Sequence, residues 1–294
     1  MRAYVLSCES TVDLTKDYLE QRNISYICYP YELDGISYWD DLGRSLPYNN
    51  FYQAIENGTD TKTAQINSYE FEVYFEEFLK AEMDVVHLCL SSGITGIMNS
   101  AVAAQNALKE HYPERYIYLI DPLGASSGFG LLMNQLAYLR DGGMDAVELV
   151  QWADENKLRV HHWYFSEDLK YYIRGGRISK TAGMMGTMLG ICPLLNMSSD
   201  GRSILREKIR SKKCVIAAIV DKMALYVDDR EQYAGRYHIS YSGKLDSAML
   251  VMELVEKRFT NLRSLEVYHI GTIIGSHSGL GTVALFFWGD DRTE

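Results

Sequence analysis

Strand-length apolar runs alternate with segments of helical periodicity along most of this chain, and that alternation limits the folds open to it. In the first half, apolar runs that predict strands cover residues 3–6, 25–28, 85–90 and 116–120. Apolar residues recur at helical spacing over residues 14–21, 68–80, 99–108 and 128–139. Because a helix that connects two strands lets them run in the same direction, this order predicts a mostly parallel sheet with helices on both faces.

A second series of elements begins near Val160. It contains predicted strands over residues 161–165, 237–241, 265–270 and 283–288, and predicted helices over residues 214–227 and 248–259. The 294 residues exceed the length at which a single core usually stops growing. We therefore predict an α/β protein with two α/β domains, residues 1–157 around the parallel sheet and residues 158–294. The join has no linker rich in Pro, Gly or Ser, so the domains are expected to pack closely.

The charge of the chain argues against a nucleic-acid partner. The 29 Lys and Arg residues stand against 39 Asp and Glu residues, a formal net charge of −10, whereas nucleic-acid binding depends on clustered positive charge. No run of about 18 apolar residues occurs, so stable membrane insertion is not expected. The first residues lack the apolar stretch and cleavage site of a signal peptide, which predicts a cytoplasmic protein.

Neither a metal nor an organic cofactor is expected from the sequence. The five cysteines lie far apart without a C-x-x-C pair, and we interpret them as free thiols of a reducing compartment. No H-E-x-x-H motif and no paired metal-ligand spacing is present. The glycines between Asp121 and Gly130 resemble a G-x-G-x-x-G dinucleotide motif only loosely, and no acidic residue follows at the required distance.

A turn of sequence LSSGITG, residues 90–96, separates the third predicted strand from a predicted helix. The first amides of that helix lack partners within it, and together with the hydroxyls of Ser91 and Ser92 they suit an anion. Two other interpretations stay open here. The serines can simply cap the helix, or one of them can be a nucleophile, although Cys89 stands where a G-x-S-x-G elbow needs its first glycine.

Two further segments contain polar residues that a buried anion would need. Thr63 and Gln65 precede a helix whose cap is Asn67, and the cap does not account for them. A hydroxyl at Thr63 facing the serine turn would complete a neutral pocket for a carboxylate. His277 lies among glycines and serines, either as a turn residue or as a donor to the anion.

A glycine pair, Gly175 and Gly176, is flanked by Arg174, Arg177 and Lys180. These cations form surface ion pairs or hold an anionic group of a ligand or partner. The nearly uncharged, methionine-rich run that follows, residues 184–195, is interpreted as ordinary core or as the lining of an apolar ligand tunnel.

Taken together and in order, these motifs resemble those of the DegV family of bacterial fatty-acid-binding proteins, and the resemblance covers residues 3–289. The opening Glu9 to Leu14 is similar to D-S-T-x-D-L, Thr63 to Gln65 to T-S-Q, and the serine turn to S-S-x-L-S-G. The further matches are residues 121–130 to D-S-x-x-x-S-x-G-x-G, 175–178 to G-G-R-I, 208–210 to K-V-R and 275–281 to G-x-H-x-G-P-G.

The resemblance implies two α/β domains with a long-chain fatty acid bound between them. It implies that Thr63 and Ser92, with Ser91 and His277 beside them, hold the lipid carboxylate. In family members that serve a fatty-acid kinase, the lipid is presented for phosphorylation of its carboxyl group, and positions matching Arg177, Arg210 and His277 are implicated there. The resemblance therefore implies a lipid-binding protein without turnover of its own.

The chain departs from the family pattern at several positions. Glu9 replaces Asp, Cys192 replaces the Lys of I-K-P, and Leu280 replaces Pro. The missing lysine is expected to change a charged surface that contacts a partner, more than it changes the binding of a carboxylate. Two other functions stay open from the sequence: an acyl hydrolase that uses Ser92, His277 and Asp121, and a sensor of small molecules or phosphates that binds through the glycine pair and the serine turn.

Overall fold

The computed structural model describes residues 2–179 and 190–293. Lys180 and the methionine-rich residues 184–189 lie outside the described residues. The strands are β1 (Tyr4–Glu9), β2 (Ile24–Ile27), β3 (Pro30–Leu33), β4 (Ile36–Trp39), β5 (Thr61–Thr63), β6 (Asp84–Leu88), β7 (Ile117–Ile120), β8 (Val160–Phe165), β9 (Ile191–Met197), β10 (Ser203–Arg210), β11 (Arg236–Tyr241), β12 (Ser264–His269) and β13 (Val283–Trp288).

The helices alternate with these strands through most of the chain. They are α1 (Lys16–Gln21), α2 (Tyr48–Glu56), α3 (Ser68–Lys80), α4 (Ile97–His111), α5 (Ser126–Asp141), α6 (Ala146–Asn156), α7 (Lys170–Arg174), α8 (Lys212–Tyr226), α9 (Leu245–Arg258) and α10 (Thr272–Ser278). None of the helices in the described part of the chain is long and apolar enough to cross a membrane.

The first half contains a parallel sheet with the strand order β2-β1-β6-β7. β6 is buried along its whole length, as expected for a strand inside a sheet that is covered on both faces. The sequence predicted all four strands to within three residues at each end. α3 begins and ends where the sequence predicted, because Asn67 and Glu70 form a reciprocal capping box at its start.

The second half contains a six-stranded mixed sheet with the order β10-β9-β8-β13-β11-β12. Its pairs are antiparallel except β11 with β12. The sequence did not predict β9 or β10 as strands. β9 is buried on both faces, so its sequence is a continuous apolar run without alternation, while the charged β10 lies at the sheet edge.

A small antiparallel sheet of order β4-β3-β5 and the helix α2 were also not predicted. β3 and β4 form a hairpin through Asp34 and Gly35, which both adopt positive φ, 53° and 75°. Asp-Gly is the sequence signal for such a two-residue turn. The short strands around it, partly exposed in β4, gave too weak an alternation to show the hairpin.

α5 lies between the two large sheets and is buried along most of its length. Two of its glycines permit the close contact. A Cβ at Gly128 would lie 2.4 Å from His162 Nε2 and from Phe286 Cδ1 of the second sheet, and a Cβ at Gly130 would lie 2.9 Å from Val12 O of the first half. A larger residue at either position would push the sheets apart.

Polar side chains at the start of α5 fix it to both halves. Ser127 Oγ and Ser240 Oγ are 2.7 Å apart, and Ser126 donates to the buried carboxylate of Asp13 at 2.5 Å. Burial raises the pKa of Asp13 well above its usual value. One hydrophobic core therefore includes residues of both sheets, and a second core lies under α8 and α9. The domain boundary after residue 157 stays a prediction.

Candidate functional site

A cavity of about 500 Å³ lies beside the N-terminal end of α5, and its walls come from both halves of the chain. The first half contributes the region of β5 and the loop before α4, and the second half contributes β8, α7, α10 and β13. The volume falls within the range of small-molecule sites. The cavity joins Thr63, Arg177 and His277, three of the residues singled out from the sequence.

One end of the cavity contains hydroxyl and amide groups. Thr63 Oγ1 is 2.8 Å from His277 Nε2, and Gln65 Nε2 donates to Thr95 Oγ1 at 2.8 Å. Because the Thr95 hydroxyl accepts this bond, it keeps its own hydrogen for another acceptor. Gln65 is exposed and Thr63 and Thr95 are partly buried, so this end of the cavity reaches the surface.

His277 is a neutral residue at physiological pH. Burial, together with the nearby charges of Arg177 and Arg174, lowers its pKa to about 4. Gly175 lies directly against its ring, since a Cβ there would be 2.4 Å from His277 Nδ1. Of the glycine pair, Gly175 is therefore the residue that allows α7 to approach this histidine.

The charges near the polar end are positive on balance. Arg174 pairs with Asp60 at 2.7 Å, and Asp60 is the only acidic residue among the described residues that line the cavity. Arg177 lines the wall, donates to Gly175 O at 2.5 Å and forms no ion pair within the described part of the chain. An anion at this end therefore meets uncompensated positive charge.

The rest of the cavity is largely apolar and buried. Leu90, Ile273, Ala284 and Phe286 line it, and all four are almost fully inaccessible. His162 belongs to this wall as a neutral ring: burial lowers its pKa well below the usual value, and its Nε2 accepts from Ala125 N at 3.3 Å. The described part of the methionine-rich segment, residues 190–195, does not line the cavity, whereas Met197 does.

The two serines of the serine turn do not lie on the cavity wall. Ser91 is buried, and its hydroxyl donates to Gly201 O at 2.8 Å and accepts from Gly93 N at 3.2 Å. Ser92 is exposed, and its backbone N–H donates to Asp121 Oδ1 at 3.3 Å. The hydroxyl of this turn that lines the cavity belongs to Thr95.

Thr95 is the residue that the sequence reasoning missed. The paired serines drew attention to the start of the motif, whereas the chain turns so that its sixth residue, Thr95, next to the start of α4, contacts Gln65. The available signal was the hydroxyl of Thr95 in the Thr-Gly pair that directly precedes the helix. The structure brings Thr63, Gln65 and His277 together and separates Ser91 and Ser92 from them.

The residues of the hydrolase hypothesis are engaged elsewhere. His277 Nε2 contacts Thr63, and Asp121 Oδ1 accepts backbone N–H groups of Ser92 and Leu123. No described hydrogen bond joins Ser92 to His277. Arg210, the second implicated arginine, is exposed at the end of β10 and lies outside the cavity wall.

Ser91 joins the serine turn to the turn between β9 and β10, so its loss should destabilise the fold. We expect Ser91→Ala to lower the free energy of unfolding by about 1–3 kcal/mol, because Gly201 O and Gly93 N lose a buried partner. Ser92→Ala, the matched control at an exposed site, should change it by less than about 0.5 kcal/mol. Urea unfolding of the three proteins measures the difference, and equal effects of the two substitutions would contradict this role of Ser91.

Comparison with known proteins identifies the relatives of this chain. The family model described as "Uncharacterised protein, DegV family" matches residues 6–290. A DegV domain-containing protein of Clostridium perfringens is 30% identical over 293 residues, which is 99% of each chain. The family that the sequence motifs predicted is confirmed.

Solved structures share the fold. A DegV family protein of Thermus thermophilus, described for its fatty-acid binding, superposes with a TM-score of 0.86 at 23% identity and covers 98% of this chain and 100% of its own. The Fatty Acid Kinase (Fak) B3 protein of Streptococcus pneumoniae, loaded with linoleic acid, has a TM-score of 0.84 at 18% identity over 98% of this chain and 100% of its own. The α/β fold predicted from the sequence is confirmed by these superpositions.

Proposed function

This chain belongs to the DegV family, and on that premise we propose that it binds one long-chain fatty acid in the cavity beside α5 and presents its carboxyl group to a fatty-acid kinase. The observation that carries the proposal is the division of the cavity into a hydroxyl-lined, surface-reaching end and a buried apolar remainder. An amphiphile with one anionic head and a long apolar tail matches both parts.

The head group would be held by neutral donors. Thr63 and Thr95 stand at the polar end, and each hydroxyl can donate to a carboxylate oxygen while accepting from its present neighbour. Hydrogen bonds to a charged acceptor are worth about 1.5–3 kcal/mol each. Arg177 adds positive charge at this end of the cavity and forms no ion pair within the described structure. The two threonines would therefore orient the carboxyl group, and Arg177 would lie beside it.

The tail would supply most of the affinity. Each buried methylene contributes about 0.8 kcal/mol, so a chain of about 14 methylenes contributes on the order of 11 kcal/mol before the costs of association. The apolar wall of Leu90, Ile273 and Phe286 is inaccessible to water and offers the required surroundings. A site of this kind needs only a few polar contacts to fix one end of its ligand.

Presentation to a kinase is supported by the position of the polar end. Gln65 and Arg174 are exposed there, so a carboxyl group between them lies within reach of a second protein. The Streptococcus pneumoniae relative is named as a component of a fatty-acid kinase. We propose that Arg177 and the exposed Arg210 contribute to phosphoryl transfer or to docking rather than to lipid affinity.

Replacing the two threonine hydroxyls tests how the head group is held. We expect Thr63→Val combined with Thr95→Val to weaken fatty-acid binding by at least about tenfold, since two hydrogen bonds to a charged acceptor are lost at nearly constant side-chain volume. Titration of delipidated protein with a fluorescent fatty acid measures the dissociation constant. Ser92→Ala is the control with an exposed hydroxyl from the same turn, and it should bind like the unchanged protein. Unaltered affinity in the double variant would remove both threonines from the site.

Removing Arg177 separates lipid binding from presentation. We expect Arg177→Ala to keep fatty-acid affinity within about threefold, a difference below 1 kcal/mol, and to slow acyl-phosphate formation by at least tenfold when a bacterial fatty-acid kinase and ATP are supplied. The reason is the lost positive charge beside the carboxyl group. Arg263→Ala, which removes an exposed arginine outside the cavity, is the charge-matched control. Normal phosphoryl transfer by Arg177→Ala would contradict the assignment.

A further inference from the structure

A cluster of three buried side chains with metal-ligating atoms lies behind the cavity wall. Glu9 ends β1, His87 lies in β6, and Cys89 follows β6 directly. The parallel register pairs Ser7 with His87 and Cys8 with Leu88, and side chains alternate along each strand, so Ser7, Glu9, His87 and Cys89 share one face of the sheet. One ligand atom from each of Glu9, His87 and Cys89 lies within 4.8 Å of the other two.

Two atoms of this cluster are buried without a hydrogen bond. Glu9 and His87 are both fully inaccessible, and within the described residues neither Glu9 Oε1 nor His87 Nε2 has a hydrogen-bond partner. The other carboxylate oxygen, Oε2, accepts from Leu90 N at 2.7 Å. An unpaired buried polar atom costs about 1–3 kcal/mol, so two of them 3.7 Å apart indicate a missing shared partner.

The histidine is already oriented as a metal ligand would be. His87 Nδ1 is 2.8 Å from Ser7 Oγ, which is 2.7 Å from the hydroxyl of Tyr74. Phe71 and Phe75 of α3 contact the ring edge-on at centroid distances of 5.6 and 5.2 Å. These contacts fix the ring plane. In the tautomer whose Nδ1–H donates to Ser7, the Nε2 lone pair is left for a cation. A second ligand shell of this kind is typical of metal sites.

We propose that Glu9, His87 and Cys89 form a zinc site, with Glu9 Oε1, His87 Nε2 and Cys89 Sγ as ligands. Carboxylate, imidazole and thiolate together are donors that Zn²⁺ accepts. Two oxygen or nitrogen ligands about 2.0–2.1 Å from one zinc ion lie about 3.3–3.4 Å apart at a tetrahedral angle, and the observed 3.7 Å between Oε1 and Nε2 needs little adjustment. On binding, the Cys89 thiol loses its proton to solvent and its sulfur bonds to the ion.

The site is adjacent to the cavity but does not depend on the proposed lipid. Tyr29 and Leu90 both line the cavity and both contact Glu9. The Tyr29 hydroxyl donates to Glu9 Oε2 at 3.5 Å, and the Leu90 backbone N–H donates to the same oxygen at 2.7 Å. An ion there would brace the strand ends that form this wall.

No sequence motif marks this site, because its ligands come from two neighbouring strands. Sequence motifs for zinc rely on close spacing along one chain segment, whereas Glu9 and His87 are 78 positions apart in numbering and meet only through the parallel register. The family motif has Asp at the position of Glu9, and the longer Glu side chain reaches one bond further toward His87 and Cys89.

Cobalt serves as the spectroscopic probe for the proposed site. Metal-free protein in a phosphine reductant should bind one equivalent of Co²⁺ and develop a thiolate-to-cobalt charge-transfer band. Cys89→Ser should lose that band, and Cys214→Ser should keep it, since Cys214 is the exposed cysteine of the chain. Circular dichroism shows whether each variant is folded. The absence of stoichiometric binding, or an unchanged band in folded Cys89→Ser, would overturn the proposal.

A measurement on the unchanged protein covers the case in which Cys89→Ser does not fold. Zinc K-edge X-ray absorption of the protein loaded with one equivalent of Zn²⁺ should show one sulfur at about 2.3 Å and nitrogen or oxygen ligands at about 2.0–2.1 Å. Ligation by nitrogen and oxygen alone would exclude Cys89 and overturn the site. Both experiments leave the lipid proposal untouched, since neither uses a fatty acid.

Discussion

The close packing of α5 against both halves of the chain determines where the two large sheets lie and where the cavity forms. Gly128 and Gly130 let the helix contact His162 and Phe286 on one side and Val12 on the other, at distances that a Cβ would not allow. The cavity forms beside the first turn of this helix, just beyond the carboxyl end of β6, and the second sheet contributes His162 of β8 and Phe286 of β13 to its wall. The carboxyl ends of parallel strands are the usual place for a ligand in such sheets.

The hydroxyl groups and the apolar side chains that line this cavity lie in different parts of it. The end near Thr63 and Thr95 offers hydroxyl groups in a region of positive charge, and the interior near Leu90 and Phe286 is largely apolar and has no charged side chain at Leu90, Ile273, Ala284 or Phe286. Burial and the neighbouring arginines lower the pKa of His277, so its imidazole ring stays neutral. An anionic head is thus favoured at one end, while a charged group at the other would meet a full desolvation cost.

The helices and strands predicted from the sequence are those that a local pattern marks, such as an apolar run or a capping box. The parallel strands were found from their apolar runs, and α3 was found from its capping box at Asn67. β9 was missed because burial on both faces removes the alternation that marks a strand. Thr63, Gln65 and His277 were singled out from the sequence, and all three line the cavity. Ser91 and Ser92 were preferred to Thr95, since only the path of the turn decides which hydroxyl faces the cavity.

The lipid content of the purified protein decides whether the cavity holds a fatty acid. Protein purified from a bacterial host, extracted with organic solvent and analysed by mass spectrometry, should yield close to one long-chain fatty acid per chain. After delipidation the folded protein should take up one equivalent of added fatty acid. A folded protein that carries none and binds none would contradict the account.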